Sequence, residues 1–70
     1  MPDNVYSVTE LVGTSTKSVD EAIRLAVRTA GKSLRHLDWF EVSEIRGHIE
    51  DADVAHFQVK VKIGFRVEDK

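Results

Sequence analysis

The 70-residue chain lacks cysteine, long apolar runs and any excess of basic charge. Without cysteine no disulfide can form, and a zinc site would need histidine and carboxylate ligands alone; the three histidines show no close helical spacing. No apolar run approaches a membrane span, and residues 1–12 lack the basic-then-apolar order of a signal peptide. A formal net charge of -2 argues against nucleic-acid binding. We therefore expect a cytoplasmic protein with no nucleic-acid or membrane partner and no metal.

The length of the chain predicts one small domain over residues 1–70, without repeats, linkers or low-complexity segments. A single core at this size is usually marginal unless disulfides, a metal or oligomerisation add to its stability. Disulfides are excluded, and nothing in the spacing of the histidines favours a metal site. Oligomerisation is therefore the remaining source of added stability.

The last segment of the chain alternates in polarity from Val54 to Val67, with apolar residues at the odd positions from Ala55 onward. This pattern predicts a long, half-buried strand with one apolar face. Such a strand runs ~45 Å, whereas the only predicted helix, about 14 residues long, reaches ~21 Å. One helix cannot cover that face, so part of it must curl over or meet another copy of the chain.

The first half of the chain predicts a strand followed by a helix. Residues 5–12 are rich in β-branched and aromatic residues, and a loop opened by Gly13 follows them. Ser18 and Glu21 form a capping box, after which apolar residues recur with helical spacing as far as Ala30. The helix presents a flat stripe of small apolar residues suited to packing on a sheet.

The second half predicts a hairpin. Gly31 is a candidate helix stop, although Leu34 and Leu37 fit one further turn. A second strand over residues 38–50 and a turn over residues 51–53 lead into the third strand. The order β-α-β-β predicts an α+β fold, with a three-stranded antiparallel sheet partly wrapped around one helix.

The second predicted strand changes phase along its length. The apolar positions within residues 45–49 have one parity, whereas Phe40 and Val42 have the other. A change of phase implies one extra residue, which we place as a β-bulge near Ser43–Glu44. Phe40 and Val42 then join the apolar face, and Trp39 moves to the polar face.

If the hairpin turns about Ala52, polar residues face one another across the two strands. The predicted pairs are His48 with His56, Arg46 with Gln58, Glu44 with Lys60, Glu41 with Lys62 and Trp39 with Gly64. The polar face is then a surface that carries an indole, an amide and a guanidinium.

Three residues on this face have both a ligand-binding and a structural interpretation. Trp39 can stack on a flat conjugated ligand, pack against a neighbouring subunit or cover Gly64. Gln58 offers donors and an acceptor, which suits the pyrimidine edge of a flavin, but an exposed strand glutamine is ordinary. Arg46 suits a phosphate or carboxylate; its structural alternative is a pair with Glu44 or Glu68.

Two basic features are weaker indications of a phosphate-bearing ligand than Arg46 is. Lys60, Lys62 and Arg66 form a stripe on the polar face, for which a solvated strand edge is the alternative. Residues 13–18 resemble a phosphate-binding loop but lack its second glycine, and Ser18 already serves as the N-cap.

No catalytic residue is predicted from a triad or an isolated carboxylate pair. One enzymatic alternative rests on Pro2, which removal of Met1 would expose as the N-terminal base used by small oligomeric tautomerases. Asp3 and Asn4 separate Pro2 from the first strand and weaken that hypothesis.

Four segments carry a resemblance to the bacterial dodecins. They are residues 10–15 (ELVGTS), 37–42 (LDWFEV), 45–48 (IRGH) and 55–59 (AHFQV), and the similarity covers nearly the whole chain. The resemblance implies a β-α-β-β protomer, a hollow homododecamer and non-catalytic binding of FMN or riboflavin for storage, sequestration and photoprotection.

The resemblance also implies roles for four residues. Trp39 would stack on the isoalloxazine ring, and Gln58 would hydrogen-bond its pyrimidine edge. Arg46 would lie near the flavin and its phosphate, which suits FMN, and Glu44 falls where some relatives carry an aspartate near the ring. Some dodecins also bind coenzyme A, so a coenzyme A-binding or purely structural shell remains the alternative.

Trp39 and Gln58 are predicted to lie six register positions apart, or ~20 Å on one flat sheet. Because one ring system cannot span that distance, we predict that more than one subunit contributes to each site.

Overall fold

The computed structural model describes residues 3–67, which form three strands and one helix. The elements are β1 (Tyr6–Ser15), α1 (Val19–Ala30), β2 (Leu37–Glu50) and β3 (Asp53–Arg66). The sheet is antiparallel in the order β1-β3-β2, and α1 packs on one face of it. The predicted α+β architecture is confirmed. Pro2 and Glu68, on which two interpretations depend, lie outside the described residues.

The start of α1 follows the predicted cap. The Ser18 hydroxyl accepts a hydrogen bond from the Glu21 backbone N–H at 3.0 Å. The Ser18 N–H donates to the Ser15 hydroxyl at 3.3 Å instead of to Glu21, so only one half of the capping box forms. One of the helix's unpaired N–H groups is thereby satisfied.

The helix ends at Ala30 with Gly31 as its C-cap, so the predicted stop at Gly31 is confirmed and the alternative of one further turn is wrong. Gly31 has a φ of -66° and lies in the right-handed region, and the left-handed turn comes later, at His36 with a φ of 61°. Leu34 and Leu37 still pack against the core, but they do so from the connection and from the start of β2. Their helical spacing therefore reflects burial and not a helix.

The core lies between the small-residue face of α1 and the central strand. Its buried side chains are Ala22, Ala26 and Ala30 from α1 and Val59, Val61 and Ile63 from β3. Alanine lets the helix axis approach the sheet closely, and the branched residues of β3 fill the space beneath it.

The helix is much shorter than the strands it packs on. The 12 residues of α1 cover ~18 Å, whereas the 14 residues of β3 run ~46 Å, and the protomer is 54 Å long. Because α1 packs mainly over β1 and β3, much of the same face of β2 stays open: Phe40, Ile45 and Ile49 are 51%, 58% and 69% exposed. The prediction that one helix cannot cover the sheet is confirmed.

The predicted loop after residue 12 is instead part of β1. Residues 13–15 belong to the strand, and Gly13 is buried where a Cβ atom would collide with the Ala22 carbonyl oxygen. The Lys17 and Ser18 N–H groups both donate to the Ser15 hydroxyl. The resemblance of residues 13–18 to a phosphate loop is therefore wrong, since Gly13 serves close packing within a strand and the N–H groups of Lys17 and Ser18 are occupied.

The register of the hairpin agrees with the predicted pairs. An extra residue at Ser43 shifts β2 relative to β3, so the predicted bulge is confirmed, and the Ser43 hydroxyl donates to the Lys60 carbonyl at 3.3 Å. Two further irregularities, at Asp38 and Ala55, were not predicted. The turn itself has two residues, Asp51 and Ala52, and not three.

The turn residues Asp51 and Ala52 have φ values of 52° and 61°, as in a type I′ turn. Alanine is strained in this region because its Cβ crowds the backbone. We expect Ala52→Gly to raise the free energy of unfolding by about 0.5–1 kcal/mol, measured by chemical denaturation at fixed protein concentration.

A matched control is Ala55→Gly, at a strand residue that does not have positive φ. The same change there is expected to lower stability by about 0.5–1 kcal/mol. If both variants changed the free energy of unfolding in the same direction, the result would argue against strain at Ala52.

Candidate functional site

All four predicted site residues lie on the sheet face opposite α1, which we call the outer face. It carries the even-numbered residues of β3 from His56 to Arg66, because Val59, Val61 and Ile63 point toward the helix. On β2 the Ser43 bulge brings Trp39 onto the same face as Glu44 and Arg46. The shared face is as the sequence predicted.

Trp39 lies across the central strand at Gly64. The two residues are register partners, and a Cβ atom on Gly64 would collide with the six-membered ring of the indole. Tyr6, from the other edge strand, meets the indole edge-on with ring centroids 5.2 Å apart and planes at 63°. Trp39 thus covers a strand glycine, as one interpretation predicted, yet it stays 42% exposed. That exposure leaves area for a planar ligand or a neighbouring chain.

Three of the predicted residues line one shallow pocket farther along the outer face. The pocket has a volume of about 200 Å³, and its lining residues are Val12, Glu44, Arg46, Gln58 and Lys60. Arg46 and Gln58 are direct register partners, as are Glu44 and Lys60. The pocket therefore presents a guanidinium, an amide, a carboxylate and an ammonium group beside one apolar side chain.

Glu44 lies between the two cations of this pocket. Its carboxylate oxygens are 3.7 Å from Arg46 Nη1 and 3.3 Å from Lys60 Nζ. The side chain of Arg46 is 64% exposed and that of Glu44 is 42% exposed, so each pair contributes at most about 1 kcal/mol. The predicted Arg46–Glu44 pair is present, but it is weak enough for Arg46 to reorient toward an anionic ligand.

Within one protomer Trp39 and Gln58 do not meet. Trp39 pairs with Gly64, six residues from Gln58 along β3, which separates the two positions by ~20 Å. The register that underlies the prediction of a shared site is therefore confirmed, whereas the contribution of further subunits stays a prediction.

Two cations of the basic stripe on the outer face already have partners. Lys60 contacts Glu44, and Arg66 Nη2 lies 3.3 Å from His36 Nδ1, so these two members of the basic stripe are not free cations. Within residues 3–67 no group of three or more histidine, cysteine, aspartate or glutamate side chains is arranged, as it stands, to hold a metal ion. Nor does this part of the chain contain a helix long and apolar enough to span a membrane.

Sequence reasoning missed Tyr6 and Val12, both contributed by β1. Their positions depend on β1 pairing with β3, where Tyr6 lies opposite Arg66 and Val12 opposite Lys60. The alternation within β1 was a usable signal, since Tyr6, Val8 and Val12 share one parity and are all exposed. The alternation within β1 does not indicate the order of the strands in the sheet.

Fold and outer face together define a class of small sheet-and-helix protomers whose open face carries an aromatic platform and a polar pocket. The family model for dodecins matches residues 5–68. The dodecin of Thermus thermophilus is 54% identical over 65 residues, which are 93% of this chain and 94% of that protein.

Solved structures agree with this match. The dodecin from Streptomyces coelicolor is 56% identical, with a TM-score of 0.93 and full coverage of both chains. The dodecin from Streptomyces davaonensis is 47% identical, with a TM-score of 0.92 over 97% of this chain and 100% of that one. The chain belongs to the dodecin family.

Proposed function

We propose that the protein is a non-catalytic, cytoplasmic flavin-binding homododecamer that stores and protects FMN or riboflavin. The observation that carries the proposal is the placement of Trp39 and Gln58 on one open face in a chain of the dodecin family. An exposed indole offers a stacking surface for the isoalloxazine ring, and a glutamine matches the alternating donors and acceptors of its pyrimidine edge.

In this proposal Arg46 contacts the ribityl phosphate or the ring rim, and Glu44 lies beside the ring. Glu44 holds Arg46 and Lys60 near the mouth of the pocket while it remains replaceable by a ligand anion. A phosphate would gain charge-assisted hydrogen bonds from the guanidinium, which favours FMN over riboflavin.

The distance between Trp39 and Gln58 supports a binding site shared between protomers. A single isoalloxazine ring cannot touch both positions of one chain across ~20 Å of sheet. Two chains that juxtapose their outer faces can supply the indole from one and the amide from the other.

The open inner face of β2 supports assembly independently of any ligand. Phe40, Ile45 and Ile49 are each more than half exposed on the side that α1 leaves uncovered. Burying these side chains against further copies removes apolar area from water at roughly 25 cal/mol per Å². A 70-residue chain without disulfides gains from such burial the stability that its small core does not supply.

Flavin titration and native mass spectrometry of the purified, flavin-free chain test the proposal. We expect a dodecamer mass and saturable quenching of the fluorescence of added FMN and riboflavin, because a stacked indole quenches the excited ring. A folded dodecamer that binds neither flavin would overturn the proposed function. A colourless shell that binds coenzyme A would establish the alternative instead.

Arg46→Gln is expected to weaken FMN binding by about tenfold while changing riboflavin affinity much less, because only FMN carries the phosphate. Its effect on protein stability is expected to be below about 1 kcal/mol, since the pair with Glu44 is exposed and Lys60 still neutralises the carboxylate. Parallel fluorescence titrations with FMN and riboflavin measure the loss of affinity for each flavin in the variant. An equal loss for both would place Arg46 at the ring and not at the phosphate.

A further inference from the structure

Tyr6 has no role in the proposed flavin site, although its ring packs against the side chain on which that site depends. The ring centroids of Tyr6 and Trp39 are 5.2 Å apart, with planes at 63°. Tyr6 begins β1 and is the register partner of Arg66, whereas Trp39 belongs to β2 and pairs with Gly64. The two rings therefore come from opposite edges of the sheet and meet across the central strand.

The irregularity at Asp38 turns the indole of Trp39 onto the outer face. Leu37 packs against the core, and Trp39, two residues later, lies on the opposite side of the sheet. In a regular strand these two residues would share a face, so the extra residue re-aims the side chain that follows it. Across the ladder the register partner is Gly64, which has no side chain that could restrict the ring.

Gly64 gives the indole room but does not fix its orientation. The six-membered ring of Trp39 occupies the space that a Cβ atom on Gly64 would need, so the ring lies over the backbone of β3. A side chain supported in this way can still exchange between rotamers at χ1 and χ2. An edge-on aromatic neighbour restricts that exchange, because the ring quadrupoles favour the pair only in particular relative orientations.

The backbone that carries Tyr6 is anchored at this end of the sheet. The Val67 N–H donates a hydrogen bond to the Val5 carbonyl at 2.8 Å, directly beside the pair of Tyr6 with Arg66. Tyr6 can therefore act as a fixed wall for a ring that reaches it from another strand.

We propose that Tyr6 is a positioning residue for the proposed flavin site: its ring holds the Trp39 indole in the orientation on which the isoalloxazine ring stacks. The inference rests on the proposed function for its ligand, whereas the contact between the two rings belongs to the protein alone. An indole that is already ordered loses less conformational freedom when a ligand stacks on it, so affinity rises. Tyr6 acts through Trp39 and need not touch the flavin.

The flavin-free protein provides the first test, because Trp39 is the only tryptophan in the chain. Time-resolved fluorescence anisotropy, excited at the red edge of the indole band, reports the motion of this one side chain. Tyr6→Val removes the ring and keeps a residue that suits a strand, so we expect faster and wider indole motion and a weaker near-ultraviolet circular dichroism signal. Tyr6→Phe keeps the ring and should match the wild type in both measurements. Val5→Ala, the matched control at the neighbouring side chain, which is 69% exposed, should match it too.

Flavin titration provides the second test. Tyr6→Val is expected to weaken FMN and riboflavin binding alike by about three- to tenfold, the size of effect that an edge-to-face pair supports. Tyr6→Phe and Val5→Ala should leave both affinities close to those of the wild type. In a Trp39→Ala background Tyr6→Val should cause no further loss, because Tyr6 acts through the indole.

Circular dichroism and native mass confirm that each variant is folded and assembled, and Tyr6→Leu replaces Tyr6→Val if the latter does not assemble. Unchanged indole motion without the Tyr6 ring would overturn the proposal. An equal loss of flavin affinity with and without Trp39 would also overturn it, since Tyr6 would then contact the ligand directly. A wild-type protein that binds neither flavin would instead overturn the proposed function, and the anisotropy of the flavin-free variants separates that failure from this one.

Discussion

Replacing Trp39 with alanine is expected to lower flavin affinity by about hundredfold or more, which corresponds to ~3 kcal/mol. The change removes the apolar area of the stacking surface and its π contact together. Because the indole is 42% exposed and lies against Gly64 and Tyr6 on the outer face, away from the core, its loss should leave the native mass of the protein unchanged. Fluorescence titration and native mass spectrometry measure the two effects separately.

Two further variants separate stacking from the mere presence of a ring. Trp39→Phe keeps an aromatic surface beside Gly64 and should retain part of the affinity. Gly64→Ala leaves the tryptophan in the chain but places a methyl group where its six-membered ring lies, so the indole must move and flavin binding should weaken. If Trp39→Ala broke the assembly while flavin binding persisted in the separated chains, the tryptophan would be an interface residue and not a ligand platform.

Gly13→Ala is expected to lower the free energy of unfolding by about 3 kcal/mol. A Cβ atom at this position collides with the Ala22 carbonyl oxygen and lies 3.1 Å from the Ala26 Cβ. Since backbone cannot rotate away as a side chain can, α1 would have to lift from β1. That movement opens the core at Ala22 and Ala26, which are 0% and 4% exposed. Urea denaturation at matched protein concentration measures the loss.

Gly31→Ala is the control for this prediction, because it makes the same chemical change where there is room. Gly31 has an ordinary helical φ, and the nearest neighbour of a Cβ atom there, the Arg28 carbonyl oxygen, would lie 3.5 Å away. Reduced freedom of the unfolded chain should make this variant neutral or up to about 1 kcal/mol more stable. Wild-type stability in Gly13→Ala would show that α1 does not approach β1 so closely.

The hairpin was largely predictable because its signals are local. Alternation along residues 54–67 defined β3, and the change of phase in β2 placed the bulge at Ser43 and Trp39 opposite Gly64. The second bulge also left a signal, since Val54 and Ala55 are two successive apolar residues at the start of an alternating strand. The prediction placed the extra residue in a three-residue turn over residues 51–53, which gives the same register from the His48–His56 pair onward and so concealed the bulge.

The ends of α1 differed in how predictable they were. Its start depends on a side chain three residues away, so Ser18 and Glu21 marked it correctly. Its end depends on where the chain must enter β2, a tertiary requirement that places the left-handed residue at His36 and not at Gly31. Leu34 and Leu37, which have helical spacing, pack against the core from the connection and from the start of β2.

The sequence by itself determined the elements, the hairpin register and the face that Trp39, Gln58, Arg46 and Glu44 share, because alternation and capping act between near neighbours. Only the tertiary structure decided that β1 pairs with β3, which brings Tyr6 to the indole over Gly64 and Val12 to the pocket. It also decided that Gly13 is a packing residue beneath α1. These features depend on contacts between segments far apart in the chain, whose energies no local pattern records.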